Sequence, residues 1–66
     1  MKDFVSVWDD MPLDDPNFVN LTVDVKCLLK DGSIVRGFYD NRDAIWHIQA
    51  ERGYKKTLDV IAWSSL

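Results

Sequence analysis

The sequence predicts an all-β fold, a small antiparallel meander of about four strands forming a twisted sheet or small barrel, with an irregular N-terminal arm. Three observations predict it. Apolar and polar residues alternate with a period of two over several short stretches, polar turn sequences separate those stretches, and no stretch of helical length has apolar residues at positions i, i+3, i+4 and i+7. A chain of 66 residues has room for one domain. We expect a single domain over 1–66, with an acidic, extended arm over 1–19 and the meander over 20–66.

The arm combines a short strand with an irregular segment. A strand is predicted over residues 4–7, and residues 8–18 then contain both prolines and four aspartates. Proline has a restricted φ angle and no backbone N–H, so it does not fit a regular central strand. We expect an extended, turning loop, with room for one short turn of helix.

The first long strand and a hairpin follow the arm. Residues 20–30 alternate almost strictly between apolar and polar side chains, which is typical of a half-buried strand. Asp31 and Gly32 separate this stretch from the β-rich residues 34–39. An Asp-Gly pair between such stretches is a strong hairpin signal, because glycine accepts a positive φ angle.

Two registers are possible for this hairpin. A two-residue type I′ loop would place Phe38 on the same face as Val25, whereas a three-residue loop with a glycine bulge would place Val35 and Tyr39 there. We favour the bulged register, because it leaves Arg36 on the wetter face and avoids burying an unpaired guanidinium.

Two further strands are predicted after the hairpin. Residues 44–50 alternate again, with Trp46 and Ile48 on one side, and residues 57–64 are rich in β-branched and aromatic side chains. Residues 51–56 are predicted to form the turn between them. Short connections favour a meander whose free edges are the far side of strand 20–30 and the strand 57–64.

Charge is distributed unevenly along the chain, although its net value is only −3. Residues 1–24 contain six aspartates and one lysine, a balance of −5, whereas residues 25–66 contain seven cationic and five acidic side chains, a balance of +2. No stretch approaches the roughly 18 apolar residues of a membrane span, and the first residues lack the pattern of a secretory signal. We expect a cytoplasmic protein with no membrane partner.

Residues suited to catalysis or metal binding are sparse. His47 is the only histidine and Cys27 the only cysteine, and their spacing matches neither a metal-ligand pair nor a base–nucleophile pair. The glycines are isolated, so no phosphate-binding loop is present. Adjacent aspartates could act as paired carboxylates, but they lack the context of a calcium loop. We expect no catalytic residue, no metal and no cofactor, and therefore no enzyme.

Nucleic-acid binding by a small β domain requires cationic and aromatic side chains on one surface. The candidate set consists of Arg36, Phe38, Tyr39, Trp46 and Lys55. Overall acidity opposes the electrostatic attraction that supplies most nonspecific affinity for nucleic acid. We therefore expect that nucleic acid is not the partner.

A protein partner is the alternative that the aromatic and acidic residues favour. The chain has eight aromatic residues, more than so small a core needs, and partly exposed aromatics commonly anchor protein interfaces. The predicted partner-binding residues, expected to contact a basic surface, are Trp8, Asp9, Asp10, Asp14, Asp15, Tyr39 and Tyr54. The alternative for the aspartates is solvation, with compensation from Arg36, Arg42 or Lys55. Because the chain is short and has no disulfide, we also expect a homo-oligomer, most simply a two-fold dimer.

Three segments resemble a family of small phage and prophage proteins known only as a domain of unknown function. The opening FVSVWDDMP, residues 4–12, resembles the family's WISVxDxxP, and VIAWSSL, residues 60–66, is similar to its closing VxxWxPL. LLKDGSIVRGFYD, residues 28–40, looks like its central hairpin. Phe4 stands where the family usually has Trp, and Ser65 or its neighbour stands where Pro is expected. The resemblance implies a phage or prophage origin and a β fold, and it implies no activity, substrate or catalytic residue.

These observations together favour a non-enzymatic phage or prophage accessory protein that binds and modulates a host or defence protein in the host cytoplasm. Two alternatives stay open. One is a β domain that binds a small ligand or nucleotide in an aromatic-lined mouth. The other is a structural or DNA-associated phage component.

Overall fold

The computed structural model describes residues 3–66, which form one antiparallel sheet of six strands and contain no helix. The strands are β1 (Val5–Ser6), β2 (Val25–Leu29), β3 (Ile34–Asp40), β4 (Ile45–Ala50), β5 (Gly53–Thr57) and β6 (Val60–Ser65). Their order in the sheet is β1-β6-β2-β3-β4-β5. The all-β prediction is confirmed, and the predicted number of about four strands is corrected to six. Residues 3–66 have no helix of the length and apolarity that crossing a membrane requires.

The β2–β3 hairpin has the bulged register that the sequence favoured. The amide of Leu29 donates to the carbonyl of Ser33 at 2.9 Å, and the amide of Gly32 donates to the carbonyl of Leu29 at 2.9 Å. Gly32 has a φ angle of +91°, which glycine adopts without steric strain. This three-residue turn places Val35 and Tyr39 on the buried face of β2.

Strand β2 begins at Val25, so the predicted strand over residues 20–30 is wrong in its first half. Asn20 has a φ angle of +70°, which interrupts extended backbone. Thr22 instead lies beside β3, where its amide donates to the carbonyl of Tyr39 at 3.0 Å and its hydroxyl oxygen accepts from the amide of Tyr39 at 2.8 Å. Thr22 is 3% exposed, and these bonds satisfy its buried polar groups.

The predicted turn over residues 51–56 is also wrong, because most of it forms strand β5. The turn is limited to Glu51 and Arg52, and Gly53 has a φ angle of +105° and pairs with Ala50. Side chains of β5 are exposed except for the half-buried Thr57. Without a buried face, β5 lacks the apolar alternation from which a strand is predicted.

Strand β6 begins at Val60 instead of residue 57, and it does not extend the meander. It runs between β1 and β2 and pairs antiparallel with both. A β-bulge at Ile61 lets Val60 pair with Leu29 and Ala62 pair with Leu28. The predicted free edges are therefore wrong, since β2 and β6 are paired on both sides, and the edges of the sheet are β1 and β5.

The core lies on one face of the sheet, called the core face, and it is formed by five buried side chains: Val25, Cys27, Trp46, Ile48 and Val60. Gly37 sits among them, opposite Val25 on β2 and Ile48 on β4. A Cβ atom at Gly37 would clash with the backbone carbonyl of His47 and would lie 3.1 Å from Cys27 Sγ. The absence of a side chain at residue 37 thus permits close approach of β3 and β4 at the centre of the core.

Candidate protein-binding groove

An apolar groove of about 290 Å³ opens on the core face, between the N-terminal arm and the connection from β5 to β6. Its floor includes Trp46 and Val60, each 4% exposed. Tyr39 lies beside them, and its ring meets the Trp46 ring edge-on with centroids 5.2 Å apart. The remaining lining residues are Val7, Trp8, Met11, Lys30, Ala44, Leu58 and Ile61. Residues of the arm therefore form part of the groove's lining, together with residues of the core face.

Two large apolar side chains line this groove while remaining open to solvent. Trp8 is 79% exposed and Leu58 is 70% exposed. Trp8 belongs to the arm, in the turn that follows β1, and its amide is 3.2 Å from Ser6 Oγ. Leu58 lies in the two-residue connection between β5 and β6, beside Asp59, whose amide donates to Thr57 Oγ1 at 3.1 Å. Both side chains therefore stand on turns of defined geometry.

Hydrogen bonds hold the arm against the sheet. The indole Nε1 of Trp63 donates to the backbone carbonyl of Asp10 at 2.9 Å, and the amide of Val7 donates to the carbonyl of Ile61 at 3.1 Å. The amides of Asp9 and Asp10 both donate to the carbonyl of Ser6, at 3.0 and 3.2 Å. The segment that carries Trp8 and the first two aspartates is thus bonded to β6 and to its own preceding strand.

The arm carboxylates make no ion pair within residues 3–66. The ion pairs in this part of the chain are Lys30–Asp59 and Arg36–Asp24, and the His47 imidazole lies beside Asp40. In the sequence, Arg36 is one cation that could balance the arm's negative charge. In the structure, Arg36 Nε lies 3.0 Å from Asp24 Oδ2 instead. Asp9, Asp10 and Asp14 are exposed and Asp15 is half-buried. Their negative charge is therefore available to a cation outside this part of the chain.

The structure places two of the seven predicted partner-binding residues, Trp8 and Tyr39, in the lining of the groove. Asp9 and Asp10 do not line it, but in the chain they lie between two lining residues, Trp8 and Met11. The sequence did not single out Leu58, whose only signal is an apolar side chain directly before a turn.

The other three predicted residues lie elsewhere. Asp14 and Asp15 line a second cleft of about 340 Å³, which also contains Phe18 and Val19. Tyr54 lies on the opposite, outer face of the sheet, where its ring centroid is 5.2 Å from that of Phe38. The groove and these two locations are separate surfaces.

Neither the histidine nor the cysteine belongs to the groove. Cys27 is completely buried in the core, and burial, together with the negative charge of Asp24, raises the pKa of its thiol to about 12. His47 is on the outer face, stacked on Phe38 with ring centroids 5.0 Å apart. Its Nε2 is 3.5 Å from Asp40 Oδ2. The thiol and the imidazole therefore lie on opposite faces of the sheet.

Asp40 is held by the turn that follows β3. Burial acts to raise the pKa of its carboxyl, but hydrogen bonds from the amides of Arg42 and Asp43 and the proximity of His47 outweigh it, so the pKa is lowered. The carboxylate thereby closes the β3–β4 turn. Residues 3–66 contain no group of three or more His, Cys, Asp or Glu side chains placed to share a metal ion.

The cationic and aromatic residues considered for nucleic-acid binding are divided between the two faces. Arg36 and Phe38 are on the outer face, whereas the alternation of the paired strands puts Tyr39, Trp46 and Lys55 on the core face. They do not form one surface.

The fold and the groove together define the class of protein: a small all-β domain whose candidate site is an open apolar groove. Comparison with protein-family models, with curated protein sequences and with solved structures finds no significant match. The residues of the groove are therefore the evidence for what this chain binds.

Proposed function

We propose that this chain is a non-enzymatic binding domain that docks on another protein through the groove and modulates that protein by occupying its surface. One observation carries the proposal: Trp8 and Leu58 are 79% and 70% exposed and line the same groove, whose floor is buried. Interface hot spots are enriched in Trp and Tyr and lie in well-packed, desolvated pockets, and the contacts around them exclude water. Exposure of both side chains in the free chain is unfavourable, and a partner that covers them removes this cost.

Geometry favours a protein partner over a small molecule. Pockets for small ligands usually enclose most of the ligand in roughly 300–1,000 Å³. The groove, at about 290 Å³, lies at the lower end of that range and is open to solvent along the exposed Trp8 and Leu58. Such a site covers one or two side chains of a partner better than it encloses a nucleotide.

The resemblance to phage and prophage proteins supports a narrower form of the proposal. In a phage accessory protein, the modulated partner is a host or defence protein, and occupation of its surface would inhibit it. The charge asymmetry of the chain supports the same form, because an acidic surface is suited to a partner with a basic surface.

Affinity purification from host lysate tests the proposal when matched variants are included. The tagged chain, Leu58→Ala and Leu13→Ala are compared. Leu13 is 79% exposed and lies outside the groove lining, so its substitution makes the same chemical change at a different place. We expect one protein to be recovered in stoichiometric amount with the tagged chain and with Leu13→Ala, and to be lost with Leu58→Ala.

Other outcomes of the purification contradict the proposal. Equal recovery of the partner by both variants would place the interface outside the groove. Recovery of a nucleotide without a protein partner would support the small-ligand alternative, and recovery of DNA would support the DNA-associated alternative.

A further inference from the structure

Two exposed carboxylates stand next to the groove on a segment of fixed backbone. Asp9 and Asp10 lie in the chain between the lining residues Trp8 and Met11. Lys30, the cationic lining residue, has its Nζ 3.8 Å from Asp59 Oδ1 in an exposed ion pair, so these two charges offset each other. Asp9 and Asp10 have no ion-pair partner among residues 3–66.

Hydrogen bonds fix the backbone of Asp9 and Asp10, and a further one holds the Asp10 carboxylate. The carbonyl of Asp10 accepts from Trp63 Nε1, and the amides of Asp9 and Asp10 donate to the carbonyl of Ser6. In addition, Asp10 Oδ1 accepts from the amide of Met11 at 2.9 Å. The Asp10 carboxylate, held in this way, loses little conformational entropy when a partner docks.

The size of the groove limits what enters it. A cavity of about 150 Å³ lined by aliphatic and aromatic side chains is large enough for a benzene molecule. The groove of about 290 Å³ therefore holds one aromatic or long aliphatic side chain with part of a neighbour. Its floor of Trp46 and Val60 contributes no charged atom to that side chain.

We propose that the groove binds a basic segment of a partner protein, in which one large apolar side chain enters the groove and a neighbouring Lys or Arg pairs with Asp9 or Asp10. This inference rests on the proposed function and specifies the chemistry of the partner. Arg is the better match, because its guanidinium binds carboxylates through two parallel hydrogen bonds.

Charge complementarity also favours a basic segment of a partner over a second copy of this chain as the occupant of the groove. A two-fold contact through the groove would bring the Asp9 and Asp10 carboxylates of both copies to one interface. Like charges at an interface oppose association through the groove. A nucleic acid would meet the same repulsion from its phosphates.

Selection from a display library of short random peptides on the full chain tests the inference. Peptides retained by the wild type and not by the double variant Trp8→Ala/Leu58→Ala are sequenced, and the most enriched peptide is synthesised for calorimetric titration. We expect an aromatic residue or Leu next to Lys or Arg in the enriched sequences.

Charge variants then locate the contact. Asp9→Asn and Asp10→Asn remove a charge and keep an acceptor oxygen, whereas Glu51→Gln makes a comparable change in the exposed β4–β5 turn. We expect the dissociation constant to rise about tenfold in Asp9→Asn or Asp10→Asn, and to change less than about twofold in Glu51→Gln. Added salt should weaken peptide binding to the wild type more than to the double variant Asp9→Asn/Asp10→Asn.

The outcomes separate this inference from the proposed function. Enriched peptides that need Trp8 and Leu58 but lack Lys and Arg would overturn the basic segment and leave the docking groove intact. Failure to obtain any peptide sensitive to Trp8→Ala/Leu58→Ala would overturn both. A groove already filled by a second copy, seen as a dimer that Leu58→Ala dissociates, would overturn the basic segment as well.

Discussion

The indole nitrogen of Trp63 donates a 2.9 Å hydrogen bond to the backbone carbonyl of Asp10, and this bond joins β6 to the N-terminal arm. Trp63 also pairs with Val5 of β1 and with Cys27 of β2, so one residue connects the arm, the short edge strand and the core. The position of the groove wall therefore depends on a side chain that is distant from Asp10 in sequence.

Replacing Trp63 with Phe keeps most of the apolar surface and removes this hydrogen bond. We expect the free energy of unfolding to fall by about 1 kcal/mol, the usual net value of such a bond. Amide exchange at Val7 should become faster, because the amide of Val7 bonds to the adjacent Ile61 carbonyl. Urea unfolding and hydrogen exchange measure both effects. Trp8→Phe, at a 79% exposed position, is the control, and equal destabilisation by the two variants would contradict the role of the bond.

Gly37→Ala tests the close contact of β3 and β4. The added Cβ would meet the His47 carbonyl, which belongs to the backbone and cannot rotate away. We expect a loss of about 2 kcal/mol or more in the free energy of unfolding, measured with urea. Combining it with Cys27→Ala removes the 3.1 Å contact with Sγ but not the backbone clash, so the double variant should show no rescue. Substantial rescue would show that the thiol is the obstacle.

Reactivity of Cys27 reports on opening of the core. Burial and the nearby Asp24 raise the pKa of the thiol to about 12, so the reactive thiolate is scarce near neutral pH. We expect an aromatic disulfide reagent to label Cys27 of the folded chain slowly, at the rate at which the core opens. The same reagent should label Cys27 of the urea-unfolded chain rapidly. Labelling of the folded chain as fast as that of the unfolded chain would contradict the burial of Cys27.

Asp31 makes the stability of the hairpin dependent on pH. The hydroxyl of Ser33 and then its amide, at 2.6 and 2.9 Å from Asp31 Oδ1, lower the pKa of this carboxyl below its ordinary value of 3.8. The stabilisation is therefore present above pH 3.8 and is lost as the pH falls through the lower pKa of the folded chain.

Urea unfolding of the wild type and Asp31→Asn across acidic pH measures this dependence. The difference between their free energies of unfolding should be largest near neutral pH and should shrink in acid. Ser33→Ala should reproduce part of the effect. A difference that is the same at every pH would rule out a contribution from the charge of Asp31.

Self-association stays a prediction, and the structure changes where the contact is expected. The edge strand β5 carries Lys55 and Lys56, which discourage pairing of strand edges. Phe18 and Val19, 60% and 84% exposed, form a more suitable apolar contact. Light scattering at micromolar concentration should give a mass of twice the 7.7 kDa of one chain. In Phe18→Ser, the measured mass should fall to that of a single chain. A strict monomer in the wild type would refute a homodimer.

Much of the fold was predictable from local sequence. The Asp31-Gly32 turn and the burial of Trp46 and Ile48 follow from turn chemistry and period-two alternation, which act between neighbouring residues. Avoiding a buried guanidinium at Arg36 was enough to choose the correct hairpin register. These features depend on residues close together in the chain, so the sequence contains the information directly.

Strand β5 and the position of β6 were not predictable in this way. Strand β5 has no buried face, so its residues carry no apolar alternation, and only pairing with β4 makes them a strand. The sequence shows that residues near Val60 are apolar, but not which strand they pair with. That choice requires the sheet to curl, because a connection of two residues joins the edge strand β5 to β6, which lies beside β2.

The candidate site divides in the same way. By itself, the sequence determined the residue types: Trp8 followed by two aspartates in a proline-containing arm. Tertiary structure alone decided that Trp8 and Leu58 line one groove, and that Asp14, Asp15 and Tyr54 lie elsewhere. The physical reason is that a groove forms where packed elements leave a gap, and the gap here lies between residues about fifty positions apart, joined through the Trp63–Asp10 bond.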